Sequence, residues 1–373
     1  MKVMTLVGTR PEIIKLSCVI PELDRAVKHV LVHTGQNYDY ELNQIFFDGL
    51  GLRKPDHFLN AAGETAAQTI ANVIAKSDAV MRKEKPDAFL LLGDTNSCLA
   101  VIAAKRLKIP IFHMEAGNRC FDERVPEEVN RRIVDHTADI NLVYTDHARR
   151  YLLAEGIRPE TVLKTGSPMK QVLTKHAAVI DKSQVLKKLK LKRGKYFAVS
   201  SHREENVDEK SRFSDLLGSL TALAKQYKLP VVVSTHPRTR KRLEALGKRA
   251  PPSIRFVPPL GFADYVQLQK SAFCVLSDSG TLTEEASILG FAGVMIREAH
   301  ERPEGMDEGT VIMAGVKPQR VLEAVKVATE RFKRAGRTWR IARDYDVDDV
   351  ASKVVNAVLG YTDYVNRTVW RRV

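Results

Sequence analysis

The sequence predicts an α/β protein made of two facing, doubly wound parallel-sheet domains. Short β-branched runs alternate with amphipathic segments of helical length along the whole chain. The runs are apolar nearly throughout, as in parallel strands covered on both faces, and lack the alternation of a half-solvated sheet. At 373 residues, the chain also exceeds one ordinary core.

Strands are expected at 3–8 (VMTLVG), 29–35, 88–94 (AFLLLGD), 109–115, 140–145 and 162–167 in the first half. The second half has them at 196–202, 230–236 (PVVVSTH), 254–259, 273–280 (FCVLSDSG), 293–296 and 310–315. Helical segments between them include DRAVKH (24–29), AQTIANVIAKSDAVMRKE (67–84) and RFSDLLGSLTALAKQYK (212–228). The lysine-rich, poorly apolar stretch 175–195 separates six such units from about six more and makes the best boundary. This divides the chain into a first domain, 1–174, and a second, 175–357. The helical end, roughly 349–373 with its last helix at about 358–373, is expected to pack back on the first domain.

Composition removes several classes of function. No apolar run approaches the ~20 residues that cross a bilayer, and MKVMTLVGTRPE reads as a first strand and not as a signal peptide. A cytoplasmic protein without a membrane partner is expected. Cys18, Cys98, Cys120 and Cys274 lie far apart, with no ligand spacing for a metal and no disulfide framework. The net charge is +14. Its visible clusters are 187–193, 238–242 and Arg371-Arg372. They lack the aromatic interleaving or finger spacing of a nucleic-acid surface. An anionic small substrate explains a basic balance equally well.

Strand ends carry the chemistry, because ligands of doubly wound sheets sit beyond the carboxyl ends of the strands. Six of them end in reactive or phosphate-friendly groups: Gly8-Thr9-Arg10, Gly93-Asp94-Thr95, His113-Met-Glu115, Ser201-His202-Arg203, Thr235-His236 and Ser277-Asp278-Ser279-Gly280. Drawn from both halves, they point to one cleft between the domains. In DSGTLTEE (278–285), Gly280 allows close backbone approach and the helix start attracts a phosphate. Thr281 and Glu284 also stand at capping-box spacing. Glu285 is placed to accept from a ribose diol, and Arg302 of HERPE adds positive charge. In GTRPEIIK (8–15), Arg10 and Lys15 offer cationic help to a departing diphosphate, with Pro11 starting the helix. No Walker A loop and no G-x-G-x-x-G after the first strand are present.

FHMEAGNRCFDERVPEE (112–128) ends an apolar run in five carboxylates and two arginines. Glu127 and Glu128 suit the positive start of a helix. Asp94 and Glu115 end very apolar strands, where crowding and desolvation push carboxyl pKa values apart and upward toward a working acid and base. His202 would face them from the other domain.

Taken in order, GTRPEIIK, GDTNS, HMEAGNR, VPEEVNRR, TGSP, SHREEN, STHPR, SDSGTLTEE and HERPEG resemble the non-hydrolysing UDP-N-acetylglucosamine 2-epimerases. The resemblance covers nearly the whole chain and implies the two-domain glycosyltransferase-B fold and a homodimer. It also implies inversion at C2 of a UDP-N-acetyl sugar, without redox cofactor or metal, by loss and re-addition of UDP through a 2-acetamidoglucal. It carries proton transfer to Asp94, Glu115 and Glu127. The phosphates and leaving group fall to His202, Arg10 and Lys15, and the uridine diphosphate site to Ser279, Gly280 and Glu285. Arg203, His236 and Arg302 are further substrate-binding candidates. Which acid serves which face of the sugar stays open.

The sequence departs from the family at Gly35-Gln36-Asn37, in GETAAQTIAN (63–72) and at Gly280-Thr281, positions tied to activation by substrate and to the diphosphate loop. HTGQNYDYEL and FHMEAGNRCFDERVPEE look closer to the capsule and O-antigen branch that interconverts L-talosamine-type and L-fucosamine-type sugars. Plain glucosamine/mannosamine epimerisation, a glycosyltransferase of the same fold, a hydrolysing relative and a non-catalytic binder are the alternatives.

Overall fold

The computed structural model describes the chain apart from residues 37–39, 202, 204–205, 207–208, 236–238, 241–242, 244–250 and 373, and apart from the side chains of 40–44. It forms two compact units, Met1–Lys175 with Arg343–Val373, and His176–Ala342.

The first unit holds a seven-stranded parallel sheet in the order β3-β2-β1-β4-β5-β6-β7. Its strands are β1 (Lys2–Val7), β2 (Lys28–His33), β3 (His57–Phe58), β4 (Ala88–Leu92), β5 (Ile111–Ala116), β6 (Ile140–Val143) and β7 (Val162–Lys164). The helices are α1 (Arg10–Leu16), α2 (Val19–Ala26), α3 (Tyr40–Gly49), α4 (Ala66–Glu84), α5 (Val101–Arg106), α6 (Pro126–Thr137), α7 (Asp146–Ala154) and α8 (Met169–Lys175). Met4, Leu6, Val30, Val32, Phe89 and Leu91 form the sheet side of one core against Val73, Val101 and Val134. β4 is buried at all five positions, as a strand covered on both faces requires.

The second unit holds a six-stranded parallel sheet, β10-β9-β8-β11-β12-β13. The strands are β8 (Phe197–Ser200), β9 (Val231–Ser234), β10 (Ile254–Val257), β11 (Cys274–Ser277), β12 (Gly293–Met295) and β13 (Val311–Met313). Around them lie α9 (Ala177–Asp181), α10 (Val185–Lys188), α11 (Lys210–Tyr227), α12 (Phe262–Lys270), α13 (Thr281–Leu289), α14 (Pro303–Asp307) and α15 (Pro318–Ala335). Both faces of this sheet carry an apolar cluster. The last helix, α16 (Val350–Thr368), belongs to the first unit and packs on α2.

Both units are therefore parallel and doubly wound, and every strand read from the sequence is present. Four expectations need correction. DRAVKH is helical only to Ala26, because Val27 turns extended and Lys28 and His29 open β2. β3 was not foreseen; it is two residues long and pairs with β2 at Val32 and His33. The stretch 175–195, read as poorly apolar, buries an apolar face: α9 and α10 pack on α12, with Val185 buried and Leu186, Leu189 and Leu191 against the core. Residues 343–357, expected with the second domain, belong to the first unit. The Asp344 carboxylate pairs with Lys164 at 2.9 Å and its carbonyl accepts from Ser167 N, while Lys170 pairs with Asp346 and Asp348.

Candidate active site

Strand order reverses between β1 and β4 in the first unit and between β8 and β11 in the second. In an open α/β sheet a ligand crevice opens at such a switch point, beyond the carboxyl ends of the strands. The residues there are Gly8-Thr9-Arg10 and Gly93-Asp94-Thr95 in one unit, and Ser201, Arg203 and Asp278-Ser279-Gly280 in the other.

In the first unit β4 and β5 run in register, Leu92 opposite Met114, so Asp94 and Glu115 emerge at neighbouring strand ends. Glu115 has φ +64° and marks a register shift between β5 and β6. Holding a non-glycine residue there costs on the order of 1–3 kcal/mol, a cost that persists where the surroundings over-determine the geometry. The Glu115 carboxylate meets Lys15 Nζ at 2.6 Å, with side-chain exposures of 11% and 4%. Lys15 also lies 5.6 Å from the centroid of the Tyr144 ring.

Asp94 is held from α6. Arg131 reaches its carboxylate at 2.6 Å and Asn130 Nδ2 donates to its carbonyl at 3.0 Å. The acids are thus not simply crowded against one another, as the sequence reading had it. Each stands beside a cation, Asp94 beside Arg131 and Glu115 beside Lys15.

Structure also separates the Glu127-Glu128 pair. Glu127 is half-buried in the first turn of α6, whereas Glu128 has no exposure. Glu128 accepts from Cys120 N at 3.0 Å and Phe121 N at 3.3 Å, and pairs with Arg131 at 2.6 Å. Burial opposes ionisation here, but the Cys120 amide and Arg131 outweigh it and hold the carboxyl below its ordinary range. Arg131 therefore joins the loop 117–125 to Asp94. Below the acids, His113 Nε2 contacts the Gly93 carbonyl at 2.7 Å, and Asp135 pairs with fully buried Arg119 at 2.7 Å while accepting from Gly117 N.

Arg10 opens α1 and lies over the Phe46 ring at 5.7 Å. Glu12, two residues on, is a site residue that the sequence reading passed over. It is 2% exposed, and burial pushes its carboxyl up to about 7 against hydrogen bonds from Thr95, Gly8 and Thr9. The T-x-x-E spacing of Thr9 and Glu12 was the available signal. Gly8 is tightly enclosed: a Cβ there would lie 1.9 Å from Ser97 Oγ and 2.4 Å from Thr34 Oγ1, two hydroxyls 2.7 Å from each other.

In the second unit Asp278 is a buried hub, accepting from Ser201 Oγ at 2.8 Å, Asn206 Nδ2 at 3.2 Å and Arg203 N at 3.1 Å. The Arg203 guanidinium pairs with Glu301 at 3.1 Å, and Glu301 in turn with buried Arg297 at 2.9 Å. Arg203 thus fixes this turn, whatever else it contacts. Ser279 Oγ lies 2.9 Å from Thr281 Oγ1. A Cβ on Gly280 would stand 2.6 Å from Glu301 Oε1, so the Glu301 carboxylate takes the space a side chain would need.

The capping box expected of Thr281 and Glu284 is not formed. Gly280 is the N-cap, and buried Glu284 turns toward Arg302 at 3.5 Å. Glu285 is 6% exposed and accepts from Gln269 Nε2 at 2.6 Å, a partner the sequence did not indicate. Tyr265 stands close by, its hydroxyl pushed up by burial and by the Glu285 and Asp278 charges. His202 and His236 lie outside the described residues. Among the described residues, no group of three or more His, Cys, Asp or Glu is arranged to hold a metal ion, and no helix is long and apolar enough to cross a membrane.

Known proteins are similar to this chain over nearly its whole length. A UDP-N-acetylglucosamine 2-epimerase from Rickettsia bellii is 57% identical, with TM-score 0.93 and full coverage of both chains. The Methanocaldococcus jannaschii UDP-GlcNAc 2-epimerase, solved in complex with UDP-GlcNAc and UDP, is 31% identical over 97% of this chain and 100% of that one, at TM-score 0.90. The UDP-N-acetylglucosamine 2-epimerase of Methanococcus maripaludis is 35% identical over 367 residues, 96% of this chain and 98% of the relative. A family model described as UDP-N-acetylglucosamine 2-epimerase matches residues 21–359. The doubly wound sheets and these matches along nearly the entire length agree: this chain is an isomerase that belongs to the UDP-N-acetylglucosamine 2-epimerase family.

Proposed function

We propose that the protein inverts C2 of a UDP-N-acetylhexosamine by eliminating UDP and adding it back. One carboxylate removes the C2 proton while the C1–O bond breaks, and UDP departs with the bonding electron pair. The product of this half-reaction is a 2-acetamidoglucal. Protonation of C2 from the opposite face and return of UDP to C1 complete the inversion. The pair Asp94 and Glu115, on adjacent strand ends beside Arg131 and Lys15, is the observation that carries the reading. Glu127 is the third acid. Arg10, Lys15 and His202 serve the leaving diphosphate, and Ser279, Gly280, Glu285, Arg203, His236 and Arg302 the rest of the nucleotide.

The sugar is proposed to be of the L-talosamine/L-fucosamine type used in capsule or O-antigen precursors, a reading supported by HTGQNYDYEL and FHMEAGNRCFDERVPEE. The second reading is UDP-N-acetylglucosamine itself, favoured by the relative solved with UDP-GlcNAc bound. The same proposal includes a cytoplasmic, homodimeric enzyme. Exposed Ile102 on α5 and Val129 and Ile133 on α6 offer an apolar face for a second copy.

Incubation with each UDP-sugar in D₂O, followed by proton NMR, tests this. Deuterium at C2 with UDP still attached is expected for one of the two sugars. Folded protein that leaves C2 unlabelled in both would refute the reading.

A further inference from the structure

Two turns at the β1/β4 switch point carry different parts of the proposed chemistry. The turn after β1 leads into Arg10 and, one helical turn on, Lys15; the turn after β4 carries Asp94. One side chain bridges them. Glu12 Oε2 accepts from Gly8 N at 2.6 Å and from Thr9 N at 3.2 Å, and Glu12 Oε1 accepts from Thr95 Oγ1 at 2.7 Å. Thr95 is the residue after Asp94. The carboxylate is buried, so water does not compete for these bonds. Asp94 is gripped on its other side by Arg131 and Asn130 from α6.

We infer that Glu12 is a positioning residue, a clamp that fixes the distance between the cations of α1 and the proton-transfer acid on the β4 loop. The inference rests on the reading of Asp94 above. Without the clamp, Thr95 Oγ1 loses the carboxylate it donates to, and the Asp94 loop is left to its contacts with α6 and with His113 and Met114 of β5. Misplacement of a reacting group by about 1 Å costs about a hundredfold in rate, while the nucleotide keeps its other contacts.

Glutamine at this position can keep the geometry. Its amide oxygen accepts from Gly8 N and Thr9 N, and its amide nitrogen donates to Thr95 Oγ1.

Exchange of the C2 proton in D₂O and the Kd for UDP, measured on the full chain, test the clamp. Glu12→Ala is expected to lower kcat about a hundredfold, with the UDP Kd changed by less than about fivefold. Thr95→Val, which removes one hydroxyl, is expected to lower kcat about tenfold, and the double variant to be no slower than Glu12→Ala. Glu12→Gln is expected to restore kcat to within about fivefold of wild type. Additive losses in the double variant, or Glu12→Gln as slow as Glu12→Ala, would overturn the inference. If Glu12→Ala does not fold, Thr95→Val decides: a rate within twofold of wild type overturns the clamp. A wild-type protein inactive on every UDP-sugar counts against the proposed function itself.

Discussion

Glu12 also offers a test in stability. Burial pushes its carboxyl up to about 7 from the ordinary 4.5. The unfolded chain releases this proton near 4.5, whereas the folded chain keeps it until about 7, so between these values the native state binds more protons. Stability must then fall as pH rises through that window, and the neutral form's advantage is full below 4.5 and lost above 7. The gap corresponds to about 3 kcal/mol. Glu12→Gln has no proton to lose. Relative to wild type, it is expected to gain about 2.5 kcal/mol between pH 5 and pH 8. For a unit of about 200 residues this amounts to about 5–10 °C in Tm. Calorimetric scans of both proteins at pH 5, 6, 7 and 8 measure the difference directly. A Tm difference constant to within about 2 °C across that range would refute a buried Glu12 that titrates near neutrality.

Four further predictions follow from the same contacts. Asp94→Asn and Glu115→Gln are expected to keep UDP binding within a few-fold in calorimetric titration, yet to lose C2 exchange by about 10²–10⁴. Arg131→Met leaves Glu128 buried without its 2.6 Å partner and is expected to cost about 3 kcal/mol in chemical denaturation; adding Glu128→Gln should recover much of that loss. Gly8→Ala is expected to destabilise the first unit by about 1–3 kcal/mol, read as a lower Tm, because a Cβ meets Ser97 and Thr34. Gln269→Leu removes the donor to Glu285 and is expected to raise KM for the UDP-sugar about tenfold with little change in kcat.

The parallel sheets were legible because a strand buried on both faces must be apolar at nearly every position, as AFLLL at 88–92 and CVLS at 274–277 are. β3 was invisible for the converse reason: His57 and Phe58 make too short a run, and their pairing with β2 is a long-range fact. Lysines at 187–192 disguised a packed segment, since Val185, Leu186, Leu189 and Leu191 bury a face between them. At the candidate site, residues at strand ends could be read from local motifs. The partners that hold them could not. Arg131 on Asp94, Lys15 on Glu115 and Gln269 on Glu285 join positions 37, 100 and 16 residues apart. Glu127 and Glu128 are chemically identical in the sequence, and only the direction each takes from α6 tells a half-buried acid from a structural one.

Breakage of the C1–O bond is the central step of the proposed epimerisation. A UDP-N-acetyl sugar carrying ¹⁸O in the bridge between C1 and the β-phosphorus can be followed by ³¹P NMR during epimerisation. The label is expected to spread into the non-bridging β-phosphate positions as C2 inverts. Inversion at C2 with all of the label still in the bridge would contradict it.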